Sequence, residues 1–117
     1  MCINENDLAL LLDIYECCQN IIKVTKGVTF RKYDNSIMIK STIERQLEII
    51  GQAAKKISKE TQERLHFIPW KQMIGMRNIL SHDYGKVLSD KVWLTSQQSI
   101  PELLKSLINI EELKHFL

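Results

Sequence analysis

Positions 77–84 read RNILSHDY, so Arg77, Asn78, Ser81, His82, Asp83 and Tyr84 gather within eight positions of an otherwise apolar stretch. These side-chain types suit phosphoryl transfer. An Arg guanidinium is a planar fork that matches phosphate oxygens and keeps its charge at any physiological pH. A His titrates near neutrality and can take a proton from one oxygen and return one to another. When the target is RNA, the ribose 2′-OH can itself be the nucleophile. The segment carries no cluster of carboxylates to hold magnesium, which agrees with a metal-free route.

Spacing decides how such groups meet. At about 100° per residue, Arg77, Ser81 and Tyr84 fall along one helix face, while Asn78 and His82 share the adjacent one. Arg77 and His82 are five apart, about 140° round the cylinder, so they do not converge on one atom from a single straight helix. Either the helix loosens near His82, or two copies meet in a dimer. An Arg–His pair alone also fits a buried polar network that only locks helix packing.

The elements that must position this segment read as helices. Only 4 Gly and 2 Pro interrupt the chain. A first helix is expected over residues 5–26, capped by Asn4 or Asn6 and stopped at Gly27. Its apolar stripe is Leu8, Leu11, Leu12, Tyr15, Cys18 and Ile22. Residues 28–33 read as a connector. A second helix is expected over 36–59, with Asp34 or Asn35 at its N-cap and a stripe of Ile39, Ile43, Leu47, Ile50, Ala54 and Ile57. Gly51 inside it costs about 1 kcal/mol relative to Ala, which is best repaid by close approach of another helix. A third starts at Pro69 and ends before Gly85. Because Pro101 interrupts a helical ladder, two further helices are expected near 90–97 and 100–115, the second capped by Ser99. No stretch alternates as a strand does. The expected fold is all-α: one domain over residues 1–117, a four- to five-helix up-and-down bundle with short connections.

Composition narrows the function classes. The length of 117 residues suits a single domain, and 44% hydrophobic with 26% charged residues fits a globular chain. Net charge is +2, with no basic arm to mark a broad nucleic-acid footprint. The longest strictly apolar run, residues 8–12, is far short of the roughly 20 residues a membrane helix needs. The acidic start, Glu5 and Asp7, is unlike a secretory signal. Cys2, Cys17 and Cys18 form no zinc pattern, adjacent Cys17 and Cys18 should point apart, and all three read as reduced thiols in a cytoplasm. Lys55, Lys56 and Lys59 read as a solvated helix end complementing the dipole, with a phosphate-binding patch as the lesser alternative. His66 and His115 stand alone.

At positions 77–84 the chain resembles the Arg-x4-His-x-Tyr motif of HepT-like toxins, a branch of the HEPN superfamily. Residues 43–58, IERQLEIIGQAAKKIS, are similar to that family's second-helix signature. Ile68, Pro69 and Trp70, followed by Ile74, Gly75 and Met76, resemble its approach to the motif. Val92 with Trp93, and Pro101 with Glu102 and Leu103, fall where the family has similar residues. The resemblance implies a dimerising HEPN-like bundle with the two motifs facing across a cleft, acting as a metal-independent endoribonuclease toxin with no cofactor. It implies His82 as general base or acid on the 2′-OH and leaving oxygen, and Arg77 on the scissile phosphate. Asn78 and Asp83 would support them. It implies Tyr84 as the acceptor of AMP from an MntA-like nucleotidyltransferase antitoxin, a modification adding charge and bulk beside the cleft. The implied partners are RNA, that antitoxin and a second copy of the chain. A non-catalytic helical subunit of a nucleotidyltransferase complex is the alternative. One departure stands out: the family more often has Gly-Glu-Ala-Ala where this chain has Gly51, Gln52, Ala53 and Ala54, which keeps hydrogen bonding at Gln52 but loses a charge.

Overall fold

The computed structural model describes residues 2–82 and 86–117, apart from the side chains of 81, 82 and 86–88. In chain order the elements are α1 (Glu5–Thr25), α2 (Phe30–Asp34), α3 (Ile37–Lys56), α4 (Lys59–Arg64), α5 (Trp70–His82), α6 (Lys86–Leu94), a π-helical segment (Thr95–Ser99), α7 (Ile100–Ile108) and a 3-10 turn pair (Glu111–Phe116). Every regular element among the described residues is helical. Four long rods emerge: α1, α3, α5, and the uninterrupted run from α6 through α7. This is the bundle expected from periodicity. None of the helices is long and apolar enough to cross a membrane among the described residues.

Helix α1 begins and ends as its sequence dictates. The Asn4 side chain accepts from the Asp7 N–H at 2.8 Å, satisfying one orphan donor of the first turn. After Lys26, Gly27 turns the chain at φ +73°, a conformation that costs glycine nothing. The buried face is wider than the expected stripe. Leu11 and Cys18 lie in it, but its centre runs through Ile14, Cys17 and Ile21, with Leu8, Leu12, Tyr15 and Ile22 half-buried at the edges. The reason is that α1 is covered by α3 on one flank and α7 on another. The same embedding buries both Cys17 and Cys18, which therefore do not divide between core and surface. Burial pushes the Cys17 thiol up to about 11 and the Cys18 thiol up to about 12, so neither supplies a thiolate.

The 28–33 stretch is not a plain connector. Thr29 accepts from the Lys32 N–H at 3.1 Å and starts α2, which carries Tyr33 into the core at 0% exposure. Tyr33, Phe30 and Trp93 form a triangle of mutually tilted or edge-on rings, with centroids 5.1–6.1 Å apart, pinning this corner to α6. The N-cap of α3 is Ser36, whose Oγ accepts from the Ile39 N–H at 3.2 Å, not Asp34 or Asn35. Helix α3 stops at Lys56 rather than continuing to 59, because Ser58 opens α4: its Oγ accepts from the Thr61 N–H at 3.4 Å. The predicted stripe of α3 is otherwise right: Ile43, Leu47, Ile50, Ala54 and Ile57 are buried and Ile39 is partly so.

Pro101 does not divide the last rod. The Ile100 N–H donates to the Thr95 carbonyl five residues back. That π-register turn absorbs the missing Pro101 N–H, so the chain runs helically from residue 86 to 108 instead of breaking between 97 and 100. Ser99 accordingly makes no capping bond. The expected 100–115 helix ends at Ile108, and the tail winds on as the 3-10 segment, with Leu113 fully buried.

Candidate active site

Arg77, on α5, is held by two fixed points. The first is Trp70 at the helix start. Trp70 is 8% exposed, and its Nε1 donates to the carbonyls of Leu65 at 3.1 Å and Gln62 at 3.2 Å. The Pro69 carbonyl accepts the first α5 bond, from the Met73 N–H at 3.1 Å, so Pro69 stands just outside the helix it was expected to begin. The second fixed point is Gly51 on α3. A Cβ at Gly51 would collide with Arg77 Cβ and lie 2.9 Å from the Met73 carbonyl oxygen. Only a residue without a side chain lets the two backbones approach this closely. The close approach expected at Gly51 is real, and the residue it admits is Arg77.

Seated there, Arg77 is half-buried and Asn78 is exposed. Arg77 Nη1 donates to Asn78 Oδ1 at 3.4 Å. A guanidinium whose stem is packed and whose neighbour accepts from its fork has lost side-chain freedom before any ligand arrives. The same α5 brings the backbones of Ser81 and His82 one turn further along, with His82 its last residue. The His82 side chain, and Asp83 and Tyr84 entirely, lie outside the described residues.

Gln52, the departure from the Glu more usual in the family the chain resembles, is half-buried next to Gly51. Lys55 and Lys56 are exposed in the last turn of α3 and Lys59 opens α4, also exposed, matching the solvated-end reading. His66 and His115 are exposed. Among the described residues no group of three His, Cys, Asp or Glu is arranged to hold a metal ion.

The sequence compares as follows. Residues 14–110 match the family model described as "Ribonuclease HepT-like". A candidate RNase of Methanocaldococcus jannaschii is 41% identical over 97 residues, covering 83% of this chain and 80% of that protein. A candidate RNase of Caldanaerobacter subterraneus subsp. tengcongensis is 36% identical over 97 residues, covering 83% and 87%. A protein of Thermococcus cleftensis named a probable ribonuclease HepT is 36% identical over 94 residues, covering 80% and 84%. No solved structure is a significant match.

Proposed function

The chain belongs to the HepT-like ribonuclease family, and on that footing we propose that it is a metal-independent endoribonuclease, the toxin of a toxin–antitoxin pair. The observation that carries the reading is the seat of Arg77 against Gly51, which fixes a phosphate-matching fork on the helix that ends at His82. In the proposed reaction the ribose 2′-oxygen bonds to phosphorus and the P–O5′ bond breaks. One imidazole, His82, takes the 2′-OH proton, and a protonated imidazole returns one to the leaving 5′-oxygen. Arg77 neutralises the charge that develops on the phosphate oxygens. Asn78 holds the fork, and Asp83 supports His82. Two copies of the 1–117 domain form a dimer, which answers the angular separation of Arg77 and His82. AMP transfer to Tyr84 by an MntA-like nucleotidyltransferase places negative charge and bulk beside the phosphate seat and shuts it by repulsion and occlusion.

The direct test is RNA cleavage in EDTA by purified wild type, His82→Ala and Arg77→Ala. Wild type should cut and both variants should lose cutting by roughly a hundredfold or more. Equal cleavage by wild type and His82→Ala would sink the mechanism. No cleavage by any of them, with nucleotide binding retained, would return the protein to the class of non-catalytic subunits. Incubation with the partner and ATP should add the mass of one AMP, and Tyr84→Phe should not take it up.

A further inference from the structure

Beside Arg77 the bundle opens into a cavity of about 300 Å³ between α3, α5 and the rod that contains the π-helical segment. Its lining comes within one residue of the Gly51–Arg77 contact on both helices. Ile50 lines it next to Gly51, and Met73 and Met76 line it on either side of the turn that leads into Arg77. Helical Cβ atoms tilt toward the helix N-terminus, so the Arg77 side chain leans back over the turn whose residues wall this cavity.

The lining has two chemistries. The floor is apolar, and its α5 wall presents the thioethers of Met73 and Met76, soft polarizable groups that pack favourably on flat aromatic rings. The rim carries Gln72, Gln98, Thr95 and Ser99, with Lys91 as its one charged group among the described residues. Two carboxamides offer paired donors and acceptors, which is what the edge of a nucleobase requires. No carboxylate faces the opening among the described lining, so a polyanion is not repelled. Volume is at the small end of the range that encloses small ligands. Thr95, Gln98 and Ser99, spaced by three and four, share the face of the rod that forms this rim.

We propose that this cavity is a base-binding subsite: it takes the nucleobase next to the phosphate held by Arg77 and gives the ribonuclease a base preference. The inference rests on the ribonuclease reading above. Met73 and Met76 pack on the base faces, Gln72 and Gln98 pair with its edge, and Lys91 attends a neighbouring phosphate.

Two measurements on the full chain test it. The first follows methionine methyl signals by NMR while nucleoside monophosphates are added. Met73 and Met76 should shift, and Met38, which is 81% exposed and does not line the cavity, should not. Gln98→Leu, at an exposed position that threatens no core, should weaken the apparent affinity at least about fivefold. Octanoate is the control ligand: if it moves the two methyls and nucleotides do not, the cavity is an apolar-ligand site and the proposal is wrong. The second measurement is cleavage of short RNAs that differ only in the base flanking the cut. Wild type should show a spread of about tenfold or more, which Gln72→Leu combined with Gln98→Leu narrows to about twofold. Cleavage with no base preference and no methyl shift overturns the subsite and leaves the ribonuclease intact. Methyl shifts without cleavage of any RNA support the subsite and count against the ribonuclease.

Discussion

Gly51 shapes the candidate site although it has no side chain to put into it. Its sequence position, inside a strong helix, was enough to expect a close helix crossing. Which residue lies opposite was not legible, because it depends on the relative height of two helices joined by thirteen residues that include the short α4. The height is set instead by Trp70, whose indole N–H reaches two carbonyls at the end of α4 and just past it. Two glycines therefore make a paired prediction. Gly51→Ala gains about 1 kcal/mol of helix propensity but forces overpacking of about 1–3 kcal/mol against Arg77 and the Met73 carbonyl. Urea unfolding should show a net loss of stability, and RNA cleavage should fall because the Arg77 fork moves. Gly75→Ala, with nothing within 4 Å of its Cβ, should stabilise by up to about 1 kcal/mol. Equal effects of the two changes would mean the α3–α5 seat is not tight. Arg77→Lys keeps the charge but loses the fork, so cleavage should drop at least about tenfold.

At the scale of elements, the long helices were legible and the short ones were not. Periodicity over twenty residues identifies α1 and α3, but five or six residues of α2 or α4 carry no period to detect and exist only through tertiary support. For α4 that support includes Asp7, 3% exposed in the first turn of α1. Ser58 Oγ and Thr61 Oγ1 both donate to Asp7 Oδ2, and the Ser58 N–H donates to Oδ1 at 3.1 Å. No sequence pattern announces a buried acid whose partners lie more than fifty residues away. Asp7→Ala should cost about 2–3 kcal/mol, since it strands donors that the carboxylate satisfied, and hydrogen exchange should rise first around α4. The same staple sets a pH dependence. Burial raises the Asp7 carboxyl, but the hydrogen bonds from Ser58 and Thr61 outweigh it and hold the group below its ordinary value. The side-chain bond from Arg64 draws Glu112 down to about 2. Both groups bind fewer protons folded than unfolded, so their stabilisation is complete above the ordinary carboxyl range, near pH 4. It declines as pH falls toward 2. Glu44, raised by burial, acts in the opposite sense and blunts the slope. Unfolding midpoints between pH 5 and 2.5 should fall with acid, and Asp7→Asn should flatten the curve; an unchanged slope would remove Asp7 from the account. The π-register turn was missed for a related reason. A 3.6-residue period treats Pro101 as a break, whereas one i→i−5 bond from Ile100 to Thr95 lets the helix pass it.

For the whole molecule, the near-neutral charge of +2 first counts against a nucleic-acid partner. A polyanion held at one seam needs local charge, however, and in the proposed dimer that charge comes from two copies of Arg77. Cleavage should therefore weaken steeply with added salt while the bundle's own stability barely moves, because its core of Leu, Ile and Ala is indifferent to screening. The all-α bundle was legible because its four long rods repeat one apolar period. The cavity beside Arg77 was not, since its rim draws on α5, α6 and the π-helical segment, whose contributions are invisible until they are packed. The strongest test at this scale is complementation between dead subunits. In a two-fold dimer whose sites each join Arg77 of one protomer to His82 of the other, Arg77→Ala and His82→Ala homodimers are both inactive. After subunit exchange, half of the dimers are mixed, and each mixed dimer contains one intact site. About a quarter of wild-type activity should return on mixing. A site complete within one protomer would show no recovery, and light scattering that finds a monomer at micromolar concentration would remove the shared cleft altogether.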